Sequence, residues 1–182
     1  MGKRSDFKRV ERDFYPTPKA AVVPLIPHLP REFFSYWEPC AGDGALNDHL
    51  QDQCRISYAA LSDIEPKAEN YMMTLDALHP TPPSSLTSID YIITNPPWDR
   101  KILHPMIKHF SSLRPTWLLF DADWMHTKQS APFIPWLRKI VSVGRVKWIP
   151  NSKMTGKDNC AWYLFDQSGT GQTEFYGRAI SK

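Results

Sequence analysis

The segment Ile93-Thr94-Asn95-Pro96-Pro97-Trp98 holds the residues best suited to chemistry in this chain of 182 residues. Asn95 offers a side-chain oxygen and Pro96 a backbone carbonyl, and together they can accept both hydrogens of a planar amine. Such an amine is a poor nucleophile, because its lone pair is delocalised into the neighbouring π-system. Two acceptors raise electron density on nitrogen and favour the tetrahedral geometry that attack on an electrophile requires. Pro96 and Pro97 fix φ and hold the turn rigid. No general base of shifted pKa is needed when nitrogen attacks first and loses its proton afterwards. Trp98 offers a broad π-face on which a flipped-out base would stack, worth ~1–3 kcal/mol. A Pro-Pro loop with an aromatic anchor is the plainer alternative.

A series of acids precedes this segment. Glu38-Pro39-Cys40-Ala41-Gly42-Asp43-Gly44 places two glycines where a ligand can approach the backbone closely. It is not the GxGxxG of dinucleotide binding, and no P-loop lysine follows. Glu38 and Asp43 would serve a phosphate poorly. They suit a cationic ligand such as S-adenosylmethionine, which carries an ammonium and a sulfonium and no phosphate. Asp63 stands 25 residues after Glu38, near the spacing at which a carboxylate grips a ribose diol. Glu65 is expected to face solvent. Asp76, at the end of a third apolar segment, is placed to accept from an adenine amine.

These residues must be carried by elements that end side by side. Short apolar segments at Phe33–Trp37, Ile56–Leu61, Tyr71–Leu75, Ile89–Thr94 and Trp117–Phe120 predict strands, each ending in polar turn residues. Helical stretches at Leu46–Gln53 and Ile102–Ser111 fall between some of them. Thr17 followed by Pro18 predicts a helix N-cap with proline at the first helical position. That helix is short, because Pro24 and Pro27 interrupt it. Strands alternating with helices imply an α/β fold with a parallel sheet. Val143–Ile149 and Ala161–Phe165 are the last strands expected. Their connection, Asn151–Cys160, is too short for a crossover helix, so the last strand is expected to be antiparallel. The plan is a Rossmann-like, mostly parallel seven-stranded sheet with an antiparallel last strand, whose functional residues sit at the carboxyl ends of the strands.

Composition fits one domain over residues 14–182, preceded by a basic mobile arm over 1–13. Apolar residues make up 42%, and no apolar run approaches the ~20 residues that span a bilayer. The N-terminus lacks the apolar stretch of a secretory signal. Three cysteines, Cys40, Cys54 and Cys160, form no obvious disulfide or zinc pattern. A reduced, cytoplasmic protein without membrane or metal partners is expected. The net charge of +3 is unevenly distributed. Glu38 to Asp90 holds nine acids and two bases, whereas Arg100 to Lys157 holds eleven bases and two acids. Either this is a solvated surface, or one half holds a cationic small molecule and the other faces a polyanion.

Taken together, these motifs resemble the amino-group DNA methyltransferases, and closely the small ones carried by bacteriophages. Phe14-Tyr15-Pro16-Thr17-Pro18 is similar to their N-terminal cofactor motif, Glu38–Gly44 to their first motif, and Asn95–Trp98 to their catalytic tetrapeptide. The motif order resembles the gamma arrangement. The resemblance covers most of residues 13–166 and implies S-adenosylmethionine as cofactor. It implies cofactor contacts from Tyr15, Thr17, Glu38, Cys40, Ala41, Gly42, Gly44, Asp63, Ile64, Asp76 and Ala77. Asn95, Pro96, Pro97 and Trp98 become the catalytic set, and asparagine in first position leans toward adenine N6 over cytosine N4. The location implied is the cytoplasm of a bacterial host.

The chain departs from many members in one respect. After Trp98 come 84 residues, and strands and helices are expected to consume nearly all of them, so no separate target-recognition domain is expected among them. Methylation of many adenines with a short preferred context is therefore expected. Trp124, after the fifth strand, either walls a base pocket or packs in the core, and His126 is an ordinary polar side chain. Lys153 and Lys157 suit phosphate contacts or plain solvation. DNA is the expected partner, with adenine in RNA or a protein glutamine amide as rival substrates. A non-catalytic nucleic-acid-binding module on the same fold is the rival from another class. The oligomeric state has no signature in the sequence.

Overall fold

The computed structural model describes residues 14–68, 72–79, 86, 88–149 and 156–178. The expected arm over 1–13 and the Lys153 contact lie outside the described residues. The strands are β1 (Phe34–Glu38), β2 (Ile56–Asp63), β3 (Met73–Thr74), β4 (Tyr91–Thr94), β5 (Thr116–Asp121), β6 (Leu137–Arg145), β7 (Asn159–Phe165) and β8 (Glu174–Tyr176). The helices are α1 (Lys19–Val22), α2 (Ala45–Gln53) and α3 (Arg100–Leu113). One sheet runs in the order β3-β2-β1-β4-β5-β7-β6-β8. β7 is antiparallel to both β5 and β6, and the other neighbours are parallel. The α/β, Rossmann-like, mostly parallel plan read from the sequence is the plan of the molecule.

Alternation along the strands makes two cores, one on each face. Tyr36, Trp117, Leu119 and Trp162 pack on the face covered by α1 and α2, with Val22, Leu25, Leu46 and Leu50. Trp37, Leu118, Phe120, Ala161 and Tyr163 pack on the opposite face with Leu103, Met106, Ile107 and Phe110 of α3. Successive residues of a strand point to opposite faces, so a sheet covered on both sides needs apolar residues at both parities. The buried indoles keep their hydrogen bonds: Trp37 Nε1 donates to Ser62 Oγ at 2.8 Å and Trp162 Nε1 to the Ala21 carbonyl at 2.7 Å. α3 begins where the Asp99 carboxylate accepts from the Lys101 N–H at 2.9 Å, which satisfies one of the helix's free donors. No helix among the described residues is long and apolar enough to cross a membrane.

Four expectations are corrected. The sheet has eight strands rather than seven, and its antiparallel strand is next to last. β8 is only three residues of edge strand after a Gly/Ser-rich tail, too short for an alternation pattern to announce. It is held by contacts made in space: Thr173 Oγ1 donates to the Leu137 carbonyl at 2.9 Å, Lys139 lies 4.0 Å from Glu174, and the His28 ring sits 4.3 Å from that of Tyr176. β6 starts at Leu137 rather than Val143. Arg138 and Lys139 disguise its first half, yet it pairs with β7 from Leu137↔Phe165 onward and ends at a bulge where Gly144 has φ +87°. β3 is reduced to Met73–Thr74, and Tyr71 lies outside the described residues. Finally, α1 is short as expected, but its N-cap is Pro18 without a side-chain bond. The Thr17 hydroxyl is engaged elsewhere, by Asn95.

Candidate active site

The carboxyl ends of β1, β2 and β4 open into one cleft of about 820 Å³. It is lined by Tyr15, Thr17, Glu38, Cys40, Ala41, Gly42, Asp63, Ile64, Asp76, Ala77, Asn95 and Pro97 from the sequence reading, so three separate motifs meet at one place. Phe14, Asp43, Leu46, Glu65, Lys67, Leu78, Asp99, Ile102 and Met106 are also on the wall, with Pro16 and Pro39. Ile102 and Met106 come from α3 and Leu46 from α2. Their only sequence signal is helical apolar periodicity, which does not separate a cleft wall from a core.

The turn after β1 is a network built on Asp63. Its Oδ2 accepts the Gly42 N–H at 2.9 Å and its Oδ1 the Glu65 N–H at 2.8 Å. The Gly42 carbonyl in turn accepts the Lys67 N–H at 2.8 Å. Asp63 thus ties the end of β2 to the glycine turn, and each oxygen keeps a second lone pair for a ligand. Gly42 has φ +57°, and a Cβ there would stand 2.7 Å from the Phe14 ring. The position therefore needs glycine twice over, for its backbone and for the N-terminal segment that packs on it. Gly44 at φ +87° caps α2 from outside the cleft lining. Glu65 is half exposed beside Lys67, 2.8 Å away.

Glu38 is the most unusual group. It is 2% exposed, and its Oε2 has no hydrogen-bond partner. Burial pushes its carboxyl well above the usual carboxylate range; Asp43, Asp63 and Asp48 push the same way, against one backbone N–H from Asn47. A buried carboxylate without a cation is costly, and this one faces the cleft. Burial, reinforced by Asp63, also raises the Cys40 thiol, so a thiolate nucleophile is not available there. Across the cleft, Ile64 stays 58% exposed, an apolar surface that a flat ring would cover. Asp76 accepts the Leu78 N–H at 2.9 Å and is otherwise exposed.

Asn95 borders the same cleft. Its Nδ2 donates to Thr17 Oγ1 at 3.2 Å and lies 3.5 Å from the Tyr15 carbonyl. Thr17 is 5% exposed. The amide is thereby oriented, with its oxygen turned away from the N-terminal segment. Among the described residues that oxygen meets the Trp98 indole N–H, at 3.4 Å, which is shared with the Leu119 carbonyl at 3.2 Å.

The structure gives the two tryptophans different surroundings. Trp98 does not line the cleft; its N–H is pegged under β5 and its ring stands edge-on to Trp148, centroids 5.8 Å apart. It packs against both cores and so anchors the Asn95 turn from below. Trp124 is 1% exposed, bonded to His104 Nε2 at 3.0 Å and surrounded by Phe120, Phe133, Tyr163 and Phe165. It is a core residue and not a pocket wall, because every side of the ring is already covered. Pro96 is buried at the turn, and Lys157 is exposed beyond the cleft. Trp148, half-buried beside Trp98, is a residue that the sequence reading did not single out.

No family model matches the chain, and no curated protein matches it in sequence. Solved structures do match in fold. A proposed RNA methyltransferase from Pyrococcus horikoshii superposes with a TM-score of 0.60 at 16% identity, covering 90% of this chain and 93% of the other. A proposed class I S-adenosylmethionine-dependent methyltransferase from Listeria monocytogenes gives 0.59 at 10% identity over 94% and 68%. A modification subunit of a proposed type I restriction enzyme from Vibrio vulnificus gives 0.53 at 14% identity over 93% and 48%. The chain has the fold of the class I S-adenosylmethionine-dependent methyltransferases.

Proposed function

We propose that the protein transfers the methyl group of S-adenosylmethionine to N6 of adenine in DNA, with a short or loose sequence preference. The observation that supports this best is a juxtaposition. The buried Glu38 carboxyl, whose Oε2 has no hydrogen-bond partner, and the oriented amide of Asn95 face one cleft. The cleft suits this cofactor by its donor set: Glu38 for the ammonium, Asp63 for the ribose diol, Ile64 for the adenine face and Asp76 for the adenine amine. When bound, the cofactor supplies an electrophilic methyl group.

The chain's own residues do the rest. The Asn95 oxygen and the Pro96 carbonyl accept hydrogen bonds from the target amine and draw its lone pair toward nitrogen. Thr17 and the Tyr15 carbonyl hold the Asn95 amide so that it presents oxygen rather than NH₂. Trp98 fixes the turn through its bond to the Leu119 carbonyl, and Trp148 stands edge-on beside it. Adenine in RNA is the second reading, since RNA methyltransferases are among the structural neighbours and phosphates are common to both polymers. Transfer of tritium from labelled cofactor to DNA, and not to an equal mass of RNA or to protein, tests the first reading against both rivals.

The orientation of Asn95 makes a separate prediction. Thr17→Val keeps the shape of the side chain and removes the acceptor that restrains the amide. Turnover is expected to fall about tenfold, the equivalent of one hydrogen bond of ~1.4 kcal/mol, with a smaller change in cofactor affinity. Thr17→Ser is expected to restore turnover. Single-turnover rates with calorimetry separate the two effects, and equal rates for Thr17→Val and the wild type would remove Thr17 from this role.

A further inference from the structure

The eighth strand brings positive charge to the catalytic end of the sheet. β8 runs parallel to β6, and β6 runs in the same direction as β5 and β4, so all of them point toward the end that carries Asn95. After Tyr176 the chain continues that way through Gly177 to Arg178. The Arg178 side chain lies across Gly144 at the end of β6, where a Cβ would stand 3.2 Å from Nη1 and 3.6 Å from Cδ. Glycine at φ +87° makes room for it. Arg145 and Lys147 follow directly, and Lys157 precedes β7; with Arg178 they are all exposed.

Acids at this end of the sheet are set toward the other side. Asp121 ends β5, Asp123 follows it, and Asp158 is near enough to add to the burial that chiefly raises the Asp121 carboxyl. The rim thus divides into an acidic sector at β5 and a basic sector at β6 and β8. Resting on the reading of the protein as a DNA methyltransferase, we propose that the C-terminal strand is a DNA-binding extension. In it, Arg178, with Arg145, Lys147 and Lys157, holds the phosphate backbone of duplex DNA flanking the target nucleotide.

The geometry suits flanking phosphates rather than the target itself. Four strand-to-strand steps separate β4 from β8, which is ~19 Å at ~4.8 Å per step. At ~3.4 Å along one strand of DNA, this corresponds to roughly five or six nucleotides from the base at Asn95. Contacts of this kind supply affinity and orientation without reading sequence.

The test is binding of the full chain to a fluorescein-labelled mixed-sequence duplex of about 30 base pairs across a salt series. Arg178→Ala is expected to raise Kd about five- to tenfold near 0.1 M salt. It should also lower the slope of log K against log salt by about one. Arg55→Ala, at the opposite end of β2, should change neither, and calorimetry should find cofactor affinity in Arg178→Ala equal to that of the wild type. Arg178→Lys should keep the slope, because the charge remains. An unchanged Kd and slope for Arg178→Ala, with the wild type binding DNA normally, would overturn the role of the strand and leave the methyltransferase reading intact. A wild-type protein that fails to bind the duplex even at low salt, or that binds only RNA of equal length, would overturn both.

Discussion

Replacing Asn95 with alanine is expected to lower methyl transfer by about 10²–10³-fold and to leave cofactor affinity within about twofold of the wild type. The loss corresponds to ~2.7–4 kcal/mol, the usual cost of removing one preorganised polar group aimed at developing charge. The structure explains why the effect should be this selective. The Asn95 amide is held by Thr17 and Tyr15 before any substrate arrives, so its oxygen meets the amine without first reorganising. The Asp63 and Glu38 contacts that would hold cofactor are made by other strands and survive the change. Asn95→Asp should recover little, because a carboxylate cannot donate to Thr17 and would face the Tyr15 carbonyl. Single-turnover transfer of tritium to DNA measures the rate and calorimetry the affinity. Wild-type transfer by Asn95→Ala would remove the tetrapeptide from catalysis.

Glu38→Gln is expected to act in opposite directions on stability and on binding. In the empty protein, burial holds the Glu38 carboxyl well above its usual pKa. A group with a raised folded pKa contributes stability that is full below its unfolded value and is lost as pH rises through the folded value. The empty wild type should therefore lose stability as pH climbs above the ordinary carboxylate range. Glu38→Gln should flatten that dependence and raise unfolding stability near neutral pH, because the amide fills the same space and cannot ionise. Binding reverses the sign. An ammonium beside Glu38 favours the ionised carboxylate, so cofactor affinity should rise with pH until the raised pKa is passed, with uptake of cofactor releasing a proton. The glutamine variant should lose that pH dependence and bind roughly ten- to a hundredfold more weakly, the equivalent of a charge-assisted hydrogen bond. Thermal unfolding of the empty protein across pH, with calorimetry in buffers of different ionisation enthalpy, measures both. A glutamine variant that binds normally, or an empty wild type whose stability does not fall with pH, would assign Glu38 to structure alone.

What the sequence made legible follows from how local each signal is. Strand ends that carry acids or Asn-Pro-Pro are local, and the cleft gathers them as the order of motifs implies. Asp63 shows the limit of this. Its position at the end of β2 was readable, but its two bonds to the Gly42 and Glu65 N–H groups depend on strands that are distant in sequence. Thr17 looked like a helix cap because Thr-Pro is a good local start, and a non-local partner, Asn95, took its hydroxyl instead. Trp98 and Trp124 could not be sorted into pocket or core by type, since an indole serves both, and only the surrounding aromatic residues decide. The first half of β6 and the whole of β8 escaped notice for related reasons. One carries two bases near its start, and the other is three residues long and depends on an edge that exists only in the folded sheet.

The central claim is that this cleft methylates adenine N6 in DNA. Base-resolution mapping and mass spectrometry of DNA from cells expressing the wild type or Asn95→Ala test it most directly. The account predicts N6-methyladenine at many sites sharing a short context in the wild type and its near absence in the variant. Methylation confined to cytosine N4 or to RNA, or equal N6-methyladenine from both proteins, would contradict it.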